Sequence, residues 1–248
     1  MPNTAMADYV HRFYRRHTLA RDLTSFRVVV GESDLLIWAE LDLSEEVRRF
    51  LLFHRGQLED FMARHPRFGE SFVPYPVPEG APAVVRLMAE AAERAGVGPM
   101  AAVAGALAEV VGKDIIDRSY EIIVENGGDI YLRSSRERKV GLFAGPSPLS
   151  GKIAFVLPPT GDDGVGICTS SATVGPSYSA GRADAAVVLA EGAALADAAA
   201  TALGNRLKSP EDIPKALEFT LEIPGVLGAA AVMGEVLGVV GELELARS

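Results

Sequence analysis

A chain of 248 residues that is 48% hydrophobic and 23% charged can bury a sizeable core, and no biased tract marks it as unfolded. Its net charge of −9 and pI near 5.0 exclude a general affinity for nucleic acid, which requires a concentrated basic face. The single cysteine, Cys168, excludes an intramolecular disulfide and points to a reducing compartment.

Met1 to Arg27 alternate polar and apolar residues with no apolar h-region and no lipidation cysteine, so no export signal is expected and the chain reads as cytoplasmic. Residues 1–25 are expected to form an arm on a single domain spanning 1–248. The basic cluster Arg12, Arg15, Arg16 and Arg21 reads as a solvated arm against a neighbouring element or subunit, with a specific anion site as the sharper alternative. Phe26 to Val30 and Asp34 to Glu40 read as strands around "GES". From Ser44 the apolar period lengthens: Val47, Phe50, Leu51, Leu58 and Met62 predict a helix capped by Ser44 and stopped at His65-Pro66. After a proline-rich loop, Pro82 to Ala95 and Met100 to Val111 predict two more helices. The second, "MAAVAGALAEVV", is small enough for another backbone to come close.

Beyond Lys113 the short runs "SYEIIVE", "DIYLR", "KVGLFA" and "GKIAFVL" predict antiparallel strands. Gly164 to Gly181 reads as a loop of small and hydroxyl residues. It is followed by a strand, "ADAAVVLA", and a helix, "GAALADAAATALGN", ended by Gly204-Asn205. A charged helix over Pro210 to Thr220 and a hairpin complete the chain. Ile223 to Gly241 is nearly long enough to span a bilayer, yet Pro224, Glu235 and frequent glycines predict strands and turns, so no membrane contact is expected. Strands and helices come in blocks, which predicts an α+β fold with an antiparallel or mixed sheet packed by small-residue helices. A small-residue helix beside a β element recurs near residues 100–132 and 184–206, which is compatible with internal duplication and with alanine-rich composition alone.

Three segments carry polar groups suited to chemistry. Asn126-Gly127-Gly128-Asp129, between apolar runs, predicts a hairpin turn; the paired glycines also let a ligand approach the backbone, with Asp129 accepting from a base or ribose. Asp197 and Thr201 lie four apart on one helical face. With Leu195, Ala199 and Leu203 turned inward, Asp197 would sit in water; as hard oxygen donors, Asp197 and Thr201 would instead suit Mg²⁺ beside a phosphate. Cys168-Thr169-Ser170-Ser171 offers a thiol and hydroxyls, but the four histidines, His11, His17, His54 and His65, are all far away in sequence, and a buried inert cysteine is the plainer reading.

The segments "GVGPMAAVAGALAEVVG", "VENGGDIYL", "GICTSSATVG" and "LADAAATALGN", in that order, resemble the ApbE-like superfamily, best known for FAD:protein FMN transferases. The likeness is closer to a separate branch, associated with sulfur incorporation into homocysteine in anaerobes, and there it runs from "YRRHTLARDL" to the last hairpin. The resemblance implies Mg²⁺ held by Asp197, Thr201 and a backbone carbonyl near Ala102 to Gly105. It also implies an FAD or FMN site bordered by Asn126, Gly127, Gly128, Asp129, Thr169, Ser170 and Ser171. Two features depart from the transferases: no histidine lies between Cys168 and Asp197, where they carry a His-Ile-x-Asp-Pro segment, and Ala104-Gly105 replaces their Lys-Gly. The resemblance therefore implies binding of a small-molecule nucleotide more directly than flavin transfer to an acceptor protein. Two alternatives stand beside it: a sulfur-transfer enzyme with Cys168 as catalytic persulfide carrier, and a non-catalytic module that binds a nucleotide or partner enzyme. The small-residue helices and acidic surface are compatible with a homodimer.

Overall fold

The computed structural model describes residues 20–172 and 181–247. Most of the expected arm, with Arg12, Arg15, Arg16, His11 and His17, lies outside them, as does 173–180 of the expected loop. Eight strands form one antiparallel sheet in the order β1 (Thr24–Val30), β2 (Ser33–Ala39), β3 (Ile122–Asn126), β4 (Asp129–Arg133), β7 (Val165–Ser170), β8 (Ala185–Ala190), β9 (Val226–Met233) and β10 (Val236–Gly241). A second antiparallel sheet joins β5 (Arg138–Gly141), β6 (Ile153–Leu157) and β11 (Glu244–Arg247). Ile223 to Gly241 is accordingly strand and turn, and no single described helix is long and apolar enough to cross a membrane.

The period-2 alternation of side chains builds three layers. Along β8, Ala186, Val188 and Ala190 join the core beneath the helices, whereas Ala185, Val187 and Leu189 join the core beneath the small sheet. Along β3 and β4, Val124 and Tyr131 face the helices, and Ile123, Ile130 and Leu132 face Phe155 and Leu157 of the small sheet. With both faces covered, the central strands lose the apolar/polar alternation of a half-exposed sheet.

The helices are α1 (Ser44–Arg64), α2 (Pro66–Glu70), α3 (Ala83–Ala95), α4 (Val103–Asp114), α5 (Ala193–Arg206) and α6 (Ile213–Leu221). Several boundaries differ from expectation for local reasons. Ser44 is the first residue of α1 rather than its cap: Leu43 precedes the helix without a side-chain cap, and Asp42 accepts the Ser44 amide at 2.9 Å. Helix α1 stops at His65-Pro66 as expected, and what differs is that Pro66 then opens the short α2, since the first helical position needs no N–H. The expected loop after Gly164 begins as a central strand, β7, because Ile167 and Cys168 each fill one of the two cores. Helix α5 runs past Gly204 to Arg206.

Glycines set how closely α5 approaches its neighbours. A Cβ at Gly166 of β7 would fall on the Ala193 backbone, and one at Gly105 of α4 would strike the Ala193 carbonyl and lie 2.8 Å from Asp197 Cβ. Gly166→Ala should therefore cost about 1–3 kcal/mol or more. In contrast, Gly56→Ala, on the exposed side of α1 with nothing near the new methyl, should gain about 0.5–1 kcal/mol. Urea unfolding midpoints moving in opposite directions would bear this out; a wild-type midpoint for Gly166→Ala would refute the close approach.

Candidate functional site

The β3–β4 hairpin turns on Gly127 and Gly128, with φ of 72° and 108°. Positive φ at both central residues is the two-residue type I′ arrangement, which glycine adopts without strain. Asn126 and Asp129 are cross-strand partners and lie on the helix face with Val124 and Tyr131. The turn tip itself is exposed at Gly127, and the Gly128 amide donates to Glu125 Oε1 at 2.8 Å. The two flanking residues, and not the glycines, are thus delivered beneath α4 and α5.

Helix α5 is buried on nearly all sides. Only the row Asp197, Thr201 and Asn205 keeps partial exposure before its last residue, Arg206. The solvated Asp197 of the plainer reading is therefore replaced by a polar stripe in an otherwise sealed helix. Asp197 Oδ2 accepts the Gly105 amide at 2.9 Å, and the Ala104 amide also favours its charge. These are second and third residues of α4, so Asp197 caps that helix from a distance and meets the positive end of its dipole. Asn126 Nδ2 donates to the Ala104 carbonyl at 3.0 Å, which fixes the same turn from the hairpin side.

Behind Asp129 lies Cys168, fully buried, with its thiol donating to the Ala193 carbonyl at 3.3 Å and in hydrogen-bonding contact with Asp129. Burial pushes the Cys168 thiol well up, and the charges of Asp129 and Asp197 push it further. That is the reverse of a reactive thiolate, which needs positive surroundings and access. Of the described histidines, His54 bonds Asp114 at 2.6 Å and His65 stacks on Phe61, so neither is engaged with Cys168.

Both acids are raised, and Asp129 contributes to the rise at Asp197. Burial pushes Asp129 up to about 7, with the charge of Glu125 adding to the rise and contacts from Cys168 and the Thr169 amide opposing it. Burial and Asp129 push Asp197 well up against the α4 amides, although its residual exposure tempers the effect of burial. Asp129 Oδ1 is buried with no hydrogen-bond partner. Such an oxygen costs on the order of 1–3 kcal/mol unless a proton, cation or ligand donor meets it.

Asn126, Asp129, Cys168 and Asp197 thus come together from β3, β4, β7 and α5. Thr201 sits one turn from Asp197 on the same row. Thr169 pairs with Val187 and turns toward the small-sheet face, so its backbone amide rather than its hydroxyl serves Asp129; Ser170 pairs with Ala186 on the helix face, and Ser171 follows the strand. Among the described residues no three His, Cys, Asp or Glu side chains group as a metal site, so a cation here would need hydroxyl or carbonyl oxygens as well. Sequence reasoning missed Glu109 of α4, whose Oε2 accepts the Ala194 amide of α5 at 3.0 Å. Its signal was a lone acid inside an alanine-rich apolar helix.

The architecture is that of solved ApbE proteins: the apo crystal structure of the flavinyl transferase ApbE from Pseudomonas stutzeri superposes with a TM-score of 0.52 at 15% identity, covering 88% of this chain and 94% of that one. At that identity the likeness defines the fold. A family model described as AbpE bacteria matches residues 16–242, and the chain belongs to this family. It is also 46% identical over 190 residues to a UPF0280 protein of Methanocella arvoryzae, covering 76% of this chain and 77% of that protein. A UPF0280 protein of Methanopyrus kandleri is 45% identical over 226 residues, covering 88% and 90%.

The raised Asp129 predicts a pH signature. Between its ordinary value of 3.8 and about 7, the folded state holds a proton that the unfolded state has lost, so this group's contribution to stability falls as pH rises through that window. Asp129→Asn should therefore gain on wild type between about pH 4 and about pH 8, by on the order of 2 kcal/mol or more. Unfolding free energies that differ by a constant amount across that range would contradict the assignment.

Proposed function

We propose that this protein binds a flavin or related nucleotide together with a divalent cation. Asp197, Thr201 and Asp129 would supply cation ligands, with a carbonyl of the first turn of α4. The observation that carries this reading is the unpartnered, buried Asp129 Oδ1 beside a second acid, Asp197. The donor set fits: carboxylates, a hydroxyl and a backbone carbonyl are hard oxygen ligands of the kind Mg²⁺ takes while sharing a phosphate. When bound, such a cation supplies positive charge to a pyrophosphate. The chain's own residues hold the oxygens in place, exclude water behind them through Cys168 and Tyr131, and leave the Asp197/Thr201 row open.

The flavinyl transferase named among the structural relatives supports a flavin as the nucleotide. Binding is the part of that activity we propose. Transfer to an acceptor protein is a further step, for which the interval from Cys168 to Asp197 contains no histidine. The sulfur-transfer alternative would need Cys168 to ionise, and both its burial and the neighbouring acids oppose that.

A thermal shift series tests the reading. FAD, FMN or ADP should raise the unfolding midpoint only when Mg²⁺ is present; 100-fold excess over Kd corresponds to about 2.7 kcal/mol. The shift should vanish in Asp197→Asn, which keeps an oxygen for the Gly105 amide and removes the charge. A wild-type protein that ignores all three nucleotides in Mg²⁺ would sink the proposal.

A further inference from the structure

Helices α4 and α5 cap one another. Asp197 of α5 accepts the Gly105 amide in the first turn of α4, and Glu109 of α4 accepts the Ala194 amide in the first turn of α5. The two hydrogen bonds and the two intervening helical stretches, 105–109 and 194–197, close a ring. Glu109 is built into it: its side chain is buried, its other oxygen pairs with Lys113 at 2.7 Å, and a Cβ at Gly192 would lie 2.7 Å from Oε2. On the opposite side, β7 grips the same turn through Gly166 and the Cys168–Ala193 bond.

We infer that Glu109 is a positioning residue for the Asp197 carboxylate, acting through the first turn of α5 without touching ligand. A helical stretch is stiff over one turn, so the Glu109–Ala194 bond fixes where α5 stands relative to α4. That in turn fixes where the Asp197 oxygens sit against the Gly105 amide. Without it, the ring opens and, among the described side chains, Asp197 alone ties the first turn of α4 to α5, so the register between the two helices loosens. The inference rests on the nucleotide–cation reading for its functional consequence, but its geometric half is independent of that reading.

Two measurements on the full chain separate the two. The first is Mn²⁺ binding, followed by the electron paramagnetic resonance signal of the free ion. Wild type should bind and Asp197→Asn should not. Glu109→Ala should weaken binding tenfold or more, and Glu109→Gln, which keeps an acceptor for Ala194, should restore it to within about threefold. The second is hydrogen exchange at the Gly105 amide, which should quicken at least tenfold in Glu109→Ala and stay near wild type in Glu109→Gln. Wild type that fails to bind Mn²⁺ overturns the cation reading alone, and the exchange result then decides the role of Glu109. Folded Glu109→Ala with wild-type exchange at Gly105 overturns the positioning role whatever the ion does.

Discussion

Two carboxylates exchanged between two helices set the geometry of this molecule. Helix α4 offers no capping side chain at its own N-terminus, and neither does α5; each is capped by an acid of the other, Asp197 and Glu109. Hydrogen bonds to charged groups contribute about 1.5–3 kcal/mol each, enough for the pair to determine how α4 and α5 lie together. Glycine at 105, 166 and 192 is the steric counterpart, since a methyl at any of these positions would meet α5 backbone or the Glu109 carboxylate. Helix α5 can thus lie almost wholly inside the protein and still present one polar row.

Charge gives that arrangement a functional direction. Asp197 is compensated by α4 amides, whereas Asp129, beneath it, has the Thr169 amide and the Cys168 thiol on one side and a bare Oδ1. Two buried acids, one of which opposes the ionisation of the other, with no ion pair to either among the described residues, invite a cation or a shared proton. The thiol behind Asp129 serves as filling: it is sealed, and burial and both acids oppose its ionisation. The fold shared with a flavinyl transferase is therefore combined here with a site whose strongest feature is a demand for positive charge.

Much of the fold was legible because local signals were unopposed. Asn126-Gly127-Gly128-Asp129 specified a two-residue turn, and the structure uses both glycines at positive φ. The long stripe of α1 and the alanine-rich α5 were also plain. What escaped notice were features decided by long-range contact. β7 reads as a loop because Gly166, Thr169 and Ser170 dilute its pattern, and Gly166 makes sense only once Ala193 lies on it. The division into two sheets depends on which face of β8 each residue takes, information that a run of buried strand residues does not carry. Spacing placed Asp197 and Thr201 on one helical row, whereas Glu109 was hidden because its partner, the Ala194 amide, lies 85 positions away in sequence.

The proposed site requires Asp129 and Asp197 to share one cation at the first turn of α4. Diffraction from crystals grown with Mn²⁺ and ADP, measured at the manganese edge, addresses this directly. An anomalous peak within about 2.0–2.3 Å of oxygens from both carboxylates is the predicted result. No peak between them, with Asp129 Oδ1 still bare and the nucleotide elsewhere, would contradict it.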